Sequence, residues 1–278
     1  MGLELYLDLL SQPCRAVYIF AKKNRIPFEL RPVDLLKGQH LSDAFAQVNP
    51  LKKVPALKDG NFTLAESVAI LLYLTRKYKV PDHWYPQDVQ ACALVDEYLA
   101  WQHTALRRSC LRALWHKVMF PIFLGEPVSP EMLEATLAEL DVTVQLLEDR
   151  FLQNKTFLTG PHISLADLVA ITELMHVSVM DRVACQAGRA LGLCCPPPPG
   201  HVPGLCAEAS SGALGPPHQA DAATLDLTHP PSSCSLSPCS LWVLAAKSLK
   251  VDPGWLHGAS VWRQQWGRIS SGRPMRSS

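Results

Sequence analysis

The first residue in this chain whose type and place could do chemistry is a serine. In MGLELYLDLLSQPCRAVYIFAKKN, Ser11 follows an alternating apolar stretch with Leu3, Leu5 and Leu7 on one side. Behind it Cys14, Val17, Tyr18 and Ala21 recur at helical spacing. The pattern predicts a strand, a turn and a helix, with Ser11 at the turn. A hydroxyl there can accept a hydrogen bond from the first helical turn, a start that Pro13 also favours. It can equally donate to a sulfur and stabilise it as a thiolate. A redox dithiol fits less well: Ser11 stands where a Cys-x-x-Cys pair would carry its first thiol, and Cys14 alone cannot cycle. Local pattern leaves capping and sulfur activation both open.

The elements that must position this turn can be read from the next residues. FELRPVDLL reads as a second strand, and LKGQHLSDAFAQVNPLKK as a polar connection with a short helical piece. VPALKDGNFTL predicts a hairpin turning at Asp59-Gly60, and AESVAILLYLTRKY a helix. KVPDHWYPQD, with two prolines, reads as a linker. From about 88 to 177 the chain is helical in pattern. DVQACALVDEYLAWQHTALRRSCLRALWHKVMF gives one long helix or two, stopped near Pro121. The next helix starts at Ser129-Pro130 and carries Leu133, Leu137, Leu140, Val144 and Leu147 as its inner stripe. ISLADLVAITELMH opens on Ser164 and Asp167, a reciprocal capping pair with Ile163 as a hydrophobic staple. That device is structural.

After Val177 the character changes to proline- and serine-rich runs such as CCPPPPG and THPPSSCSLSPCS. From residue 182 onward eight bases stand against four acids, without helical or strand period. Such a segment buries too little to offset its ordering entropy, so residues 178–278 are expected to form a disordered tail. Its cysteines and histidines match no metal template, and the expectation is no metal.

Over 278 residues, 26 Lys and Arg balance 25 Asp and Glu, which removes any general electrostatic case for nucleic acid. No apolar run approaches the roughly 20 residues of a membrane span. The first residues lack a basic lead-in and do not read as a secretory signal. The nine cysteines are then expected to be free thiols in a reducing, cytoplasmic setting.

Strand, helix, strand, proline-led hairpin and helix form the layout of a thioredoxin-like domain, here followed by helices. Three stretches, LLSQPCRAVYIFAKKN, KGQHLSDAFAQVNPLKKVPALKDG and EYLAWQHTALRRSCLRALWHK, carry a more specific likeness. With them, residues 1–177 resemble a cytosolic glutathione transferase of the theta class. The resemblance implies an α/β thioredoxin-like N-terminal domain, 1–80, and an all-α domain, 88–177. That second domain is shortened, because the family continues with further helices that cover the site. It implies transfer of glutathione, as co-substrate and with no cofactor, to small hydrophobic electrophiles such as haloalkanes and epoxides. Reduction of organic hydroperoxides and a homodimeric state are implied as well. An alternative is an impaired, splice-like variant that only binds glutathione or serves as an interaction module.

The resemblance also assigns roles. Ser11 would donate its hydroxyl proton to the glutathione sulfur, and Arg107 would add positive charge at the same site. Arg108, about 100° further round the helix, is expected in solvent. Pro55 matches the family's cis-proline, leaving the backbone of Val54 to pair with the cysteinyl residue. Glu66 and Ser67 would hold the γ-glutamyl end, while His40 and Lys53 would meet the glycyl carboxylate. Leu111, Trp115 and Phe120 would line the remaining substrate pocket or belong to the core. Without the further helices, the apolar face of ISLADLVAITELMH is expected to lack partners.

Overall fold

The computed structural model describes residues 2–175, so the expected tail lies outside the described residues. The first of its two parts is built on a four-stranded sheet in the order β2-β1-β3-β4. β1 (Leu3–Leu7) runs parallel to β2 (Glu29–Pro32), and α1 (Gln12–Lys23) makes the crossover between them. β3 (Ala56–Asp59) pairs antiparallel with β1 and with β4 (Phe62–Ala65). The hairpin turn is tight because Asp59 pairs with Phe62 across Gly60 and Asn61, and Gly60 takes φ +62°, a region that glycine enters without strain. Alternation along β1 then divides the side chains between two layers. Leu3, Leu5 and Leu7 face the core with α1 and α3 (Ser67–Tyr78). Tyr6 faces the smaller cluster of Val33, Phe45 and Ala56, where α2 (Asp43–Ala46) covers the other side. This is the thioredoxin-like arrangement expected from the sequence.

The helical part shares the larger core. α4 (Val89–Thr104) starts on Asp88, whose carboxylate accepts from the Ala91 N–H at 2.9 Å. It ends where Ala105 leaves helical geometry, with φ −104° and ψ −86°. α5 (Leu106–Leu114) follows at once, so the long pattern is two helices. Pro121 does not stop the second one. From Trp115 to Leu124 the coil widens to π-helical turns with Pro121 inside, and it ends where Gly125 turns left-handed at φ +68°. α6 (Pro130–Leu146) opens on Ser129, whose hydroxyl accepts from the Met132 N–H, and wide turns over Leu147–Leu152 extend it. Leu140 and Leu147 of its expected stripe are buried.

The last described element, α7, spans residues 165–175. Ser164 and Asp167 form the reciprocal cap: the Asp167 carboxylate accepts from the Ser164 N–H at 2.9 Å, and the serine hydroxyl accepts from the Ala166 N–H. The face of α7 is not bare, contrary to the sequence expectation. Leu165, Leu168 and Val169 are essentially fully buried in the common core. Among the described residues no helix is long and apolar enough to cross a membrane.

Candidate functional site

Strand register places three of the expected functional stretches at one end of the sheet. Tyr6 pairs with Ala56, and Ala56 with Ala65. The turn after β1, the Val54-Pro55 entry to β3 and the Ala65-Glu66 exit from β4 are therefore neighbours. That end is also where α1 and α3 begin, so two sets of free backbone N–H groups converge there.

The Ser11 turn is tightly held. Asp8, buried at the end of β1, accepts from the Leu10 N–H and the Leu35 N–H, both at 2.9 Å, and its carbonyl accepts from the Ser11 N–H at 3.0 Å. Ser11 occupies the capping position of α1 with extended backbone, yet its hydroxyl makes no capping bond. Pro13, second in the helix, offers no N–H to accept. The hydroxyl instead stands close enough to Cys14 to act on its sulfur, favouring the ionised thiol. Burial pushes the Cys14 thiol up to about 12 and outweighs the lowering effect of Ser11, so this thiol stays protonated. Cys14 is core, and Ser11 is a half-buried hydroxyl that caps nothing.

Around the β3 entry the Val54-Pro55 peptide is cis, as expected. Buried Asn49 orders the approach: its amide donates to the Lys53 carbonyl at 2.7 Å, and its oxygen accepts from the Leu51 N–H at 3.0 Å. Lys53 itself is exposed. His40 sits on a short 3-10 turn, Gln39–Leu41, and its Nδ1 is buried with no hydrogen-bond partner among the described residues. The Lys52 ammonium donates to the Leu41 carbonyl at 2.9 Å and ties that turn to the 49–53 segment.

Glu66 precedes α3 with φ +68° and ψ 117°, a conformation that side-chain-bearing residues rarely adopt. Holding it costs on the order of 1–3 kcal/mol. Glu66 is exposed while Ser67, the first residue of α3, is buried. Neither is a simple cap, since the Glu66 side chain makes no capping bond. The strained backbone sets an acid and a serine side by side at a helix N-terminus.

Arg107 lies on α5, half-buried, while Arg108 beside it is exposed. The Arg107 Nε donates to the Glu173 carboxylate at 2.7 Å, and its Nη1 lies 3.2 Å from the His103 Nδ1. Together with His103, Arg108, Leu111, Arg112 and Trp115 it lines an open groove of about 460 Å³. Leu111 and Trp115 therefore face the groove rather than the core. Phe120 does not line it; it packs against Trp115 with ring centroids 5.4 Å apart and supports that wall from behind.

Sequence reasoning missed Asp8, Asn49, Arg15 and Glu173, which act on other residues' positions. The signal for Glu173 was present: it falls on the stripe of Ala166, Val169 and Ala170, all buried, where an acid is out of place. Arg15 is likewise a charge beside the core residues Cys14 and Ala16.

The family of glutathione S-transferase N-terminal domains matches residues 5–76. The chain is 90% identical over 176 residues to human glutathione S-transferase theta-1, which covers 63% of this chain and 73% of that protein. Among solved structures it is similar to the apo form of human glutathione S-transferase T1-1, with a TM-score of 0.64 and 83% identity over 69% of this chain and 80% of that one. Human glutathione transferase theta-2, solved in complex with glutathione and an unknown ligand, gives a TM-score of 0.63 at 51% identity, over 69% and 78% of the two chains.

Proposed function

The chain belongs to the theta-class glutathione transferases, and from that premise we propose which of its residues carry the reaction and which electrophiles it takes. It is an enzyme with glutathione as co-substrate and needs no cofactor. The chemical difficulty is the thiol. A free thiol has a pKa near 8.5, so only a few per cent is thiolate at neutral pH. Ser11 donates its hydroxyl proton in a hydrogen bond to the glutathione sulfur, which favours the charged form. The N-terminus of α1 adds a favourable dipole, and Arg107 adds a full positive charge. The observation that carries this reading is the Ser11 hydroxyl, which stands at a helix start, makes no capping bond and has a sulfur beside it.

The rest of the tripeptide is held at the same sheet end. The backbone of Val54, ahead of Pro55, pairs with the cysteinyl residue. Ser67 and the start of α3 receive the γ-glutamyl carboxylate, and Glu66 its ammonium. His40 and Lys53 meet the glycyl carboxylate, which gives the unpartnered His40 Nδ1 a partner. Residues 1–80 thus form the glutathione-binding domain and 88–177 the substrate side, in a cytoplasmic homodimer.

The groove beside Arg107 takes the electrophile, with Leu111 and Trp115 supplying apolar contact. With a haloalkane, sulfur forms a bond to carbon as the carbon–halogen bond breaks and halide leaves with the electron pair. With an epoxide, sulfur forms a bond to a ring carbon as that carbon–oxygen bond breaks, and the alkoxide takes a proton from water. With an organic hydroperoxide, two glutathiones are oxidised to the disulfide while the peroxide is reduced to alcohol and water. The test is thiolate absorbance of bound glutathione in the wild type and Ser11→Ala, beside turnover with one electrophile of each kind. The variant should bind glutathione yet require a higher pH to ionise it. Identical titrations would return Ser11 to a purely structural role.

A further inference from the structure

We propose that Glu173 is a positioning residue that holds Arg107 in the groove, and that Arg15 ties this pair to the turn carrying Ser11. Glu173 lies on α7 with its side chain fully buried, while Arg107 keeps 15% of its side chain exposed. The Glu173 Oε1 accepts from the Arg107 Nε at 2.7 Å. The Arg107 Nη1 sits 3.2 Å from the His103 Nδ1. A guanidinium is planar, so fixing two of its nitrogens fixes the direction of the third. Among the described residues nothing engages the remaining Nη2, and Arg107 lines the groove.

Stability does not account for this pair. Burial raises the Glu173 carboxyl above the usual carboxylate range, and the charges of Arg107 and Arg15 pull it back. A buried ion pair is often no better for stability than apolar side chains of the same volume. What it supplies here is a fixed direction for a charge.

Arg15 extends the arrangement across the molecule. It is 7% exposed, and burial draws its guanidinium down to about 10 against the charge of Glu173. Its Nη1 donates to the carbonyls of Leu9 at 3.1 Å and Leu10 at 3.3 Å, the two residues before Ser11. Its Nη2 donates to the carbonyl of Thr172 at 3.2 Å, the residue before Glu173. One side chain thus connects the Ser11 turn to the helical position that holds Arg107. The two groups that act on the sulfur belong to different parts of the fold, and this link sets their relative place.

The inference rests on the role given to Arg107 above, and the experiment separates the two. Glu173→Asp keeps the charge but draws the acceptor back by one methylene. Glu173→Gln keeps the reach and an acceptor oxygen but removes the charge. Each is compared in the full chain by titrating the thiolate absorbance of bound glutathione, with kcat and the KM for glutathione measured alongside. The Asp variant should raise the bound thiol's pKa by about one unit, a tenfold loss of thiolate at a fixed pH below it. Its kcat should fall about tenfold at neutral pH with KM changed less than about twofold. The Gln variant should titrate at or below the wild-type value, because Arg107 keeps its place and an opposing charge has gone. Arg107→Ala sets the scale, and Glu173→Asp on top of it should add nothing. A thiol pKa common to wild type, Asp and Gln, with Arg107→Ala raised, overturns the positioning inference alone. An additive double variant does the same. An unshifted Arg107→Ala removes that residue from the reaction, and the inference falls with it.

Discussion

Ser164 stands before α7 as Ser11 stands before α1, but the two hydroxyls meet different partners. The Ser164 hydroxyl accepts from the Ala166 N–H at 3.2 Å and donates to Asp167 at 2.9 Å. Ser42 and Ser129 behave alike, accepting from Phe45 and Met132 at 3.2 Å. Ser11 accepts from no helical N–H. Local neighbours explain the contrast. α1 has proline at its second position and a cysteine at its third, so one N–H is missing and a sulfur is nearby. Preference at helix starts describes where serine is found, and the partner available there decides what it does.

The largest effect should come from breaking the capping side of this contrast. Asp167→Ala leaves the Leu158 N–H, the Ser164 N–H and the Ser164 hydroxyl without their acceptor. Buried donors left unpaired cost about 1–3 kcal/mol each, so a total loss of roughly 3 kcal/mol or more is expected. Differential scanning calorimetry should then show a midpoint lower by roughly 6–12 °C, from about 2–4 °C per kcal/mol at this size. A midpoint within a degree of wild type would show that the Ser164 end of the comparison is not structural.

Breaking the other side should leave the midpoint alone. Ser11→Ala removes a hydrogen bond to a charged sulfur, about 1.5–3 kcal/mol. Turnover should fall roughly ten- to a hundredfold while stability stays within about 0.5 kcal/mol of wild type, a midpoint shift of no more than about 1–2 °C. Ser129→Ala gives the opposite and smaller pattern: about 1 kcal/mol of stability lost and turnover unchanged. A loss of turnover with Ser129→Ala as large as with Ser11→Ala would erase the distinction between the two serines.

Much of this was legible because short-range pattern set it. The alternation of Leu3, Leu5 and Leu7, the Gly60 turn and the Ser164-Asp167 cap are local decisions, and each is found as read. Pro121 was misread because proline is penalised for a missing N–H in a regular helix, and a wider coil accommodates it. The α7 face was misread because burial depends on what packs against it, and Leu165, Leu168 and Val169 join the common core. For the candidate site, the resemblance named residues that the register of β1, β3 and β4 brings to one sheet end. It did not name Arg15 or Glu173, whose meaning lies in contacts more than 60 residues apart in sequence.

The smallest effect sharpens the Ser164 side through pH. Burial raises the Asp167 carboxyl above its usual range, and the N–H groups of Leu158 and Ser164, with the Ser164 hydroxyl, pull it back. The unfolded chain titrates this group near 3.9. Between that value and the raised one, the folded chain holds more protons than the unfolded chain. Its contribution to stability is therefore full at low pH and is lost as pH rises through the folded value. Asp34 and Asp59 work in the opposite sense, since the hydrogen bonds and charges of Lys37 and Lys77 hold them low, so a bare acid titration mixes both. Comparison with Asp167→Asn isolates the one group, because an amide does not titrate. As both proteins are taken from neutral pH down toward the unfolded value, the midpoint difference should move in favour of the wild type. Well above the folded value it should be flat. A difference that stays constant throughout would mean that the three donors offset burial completely.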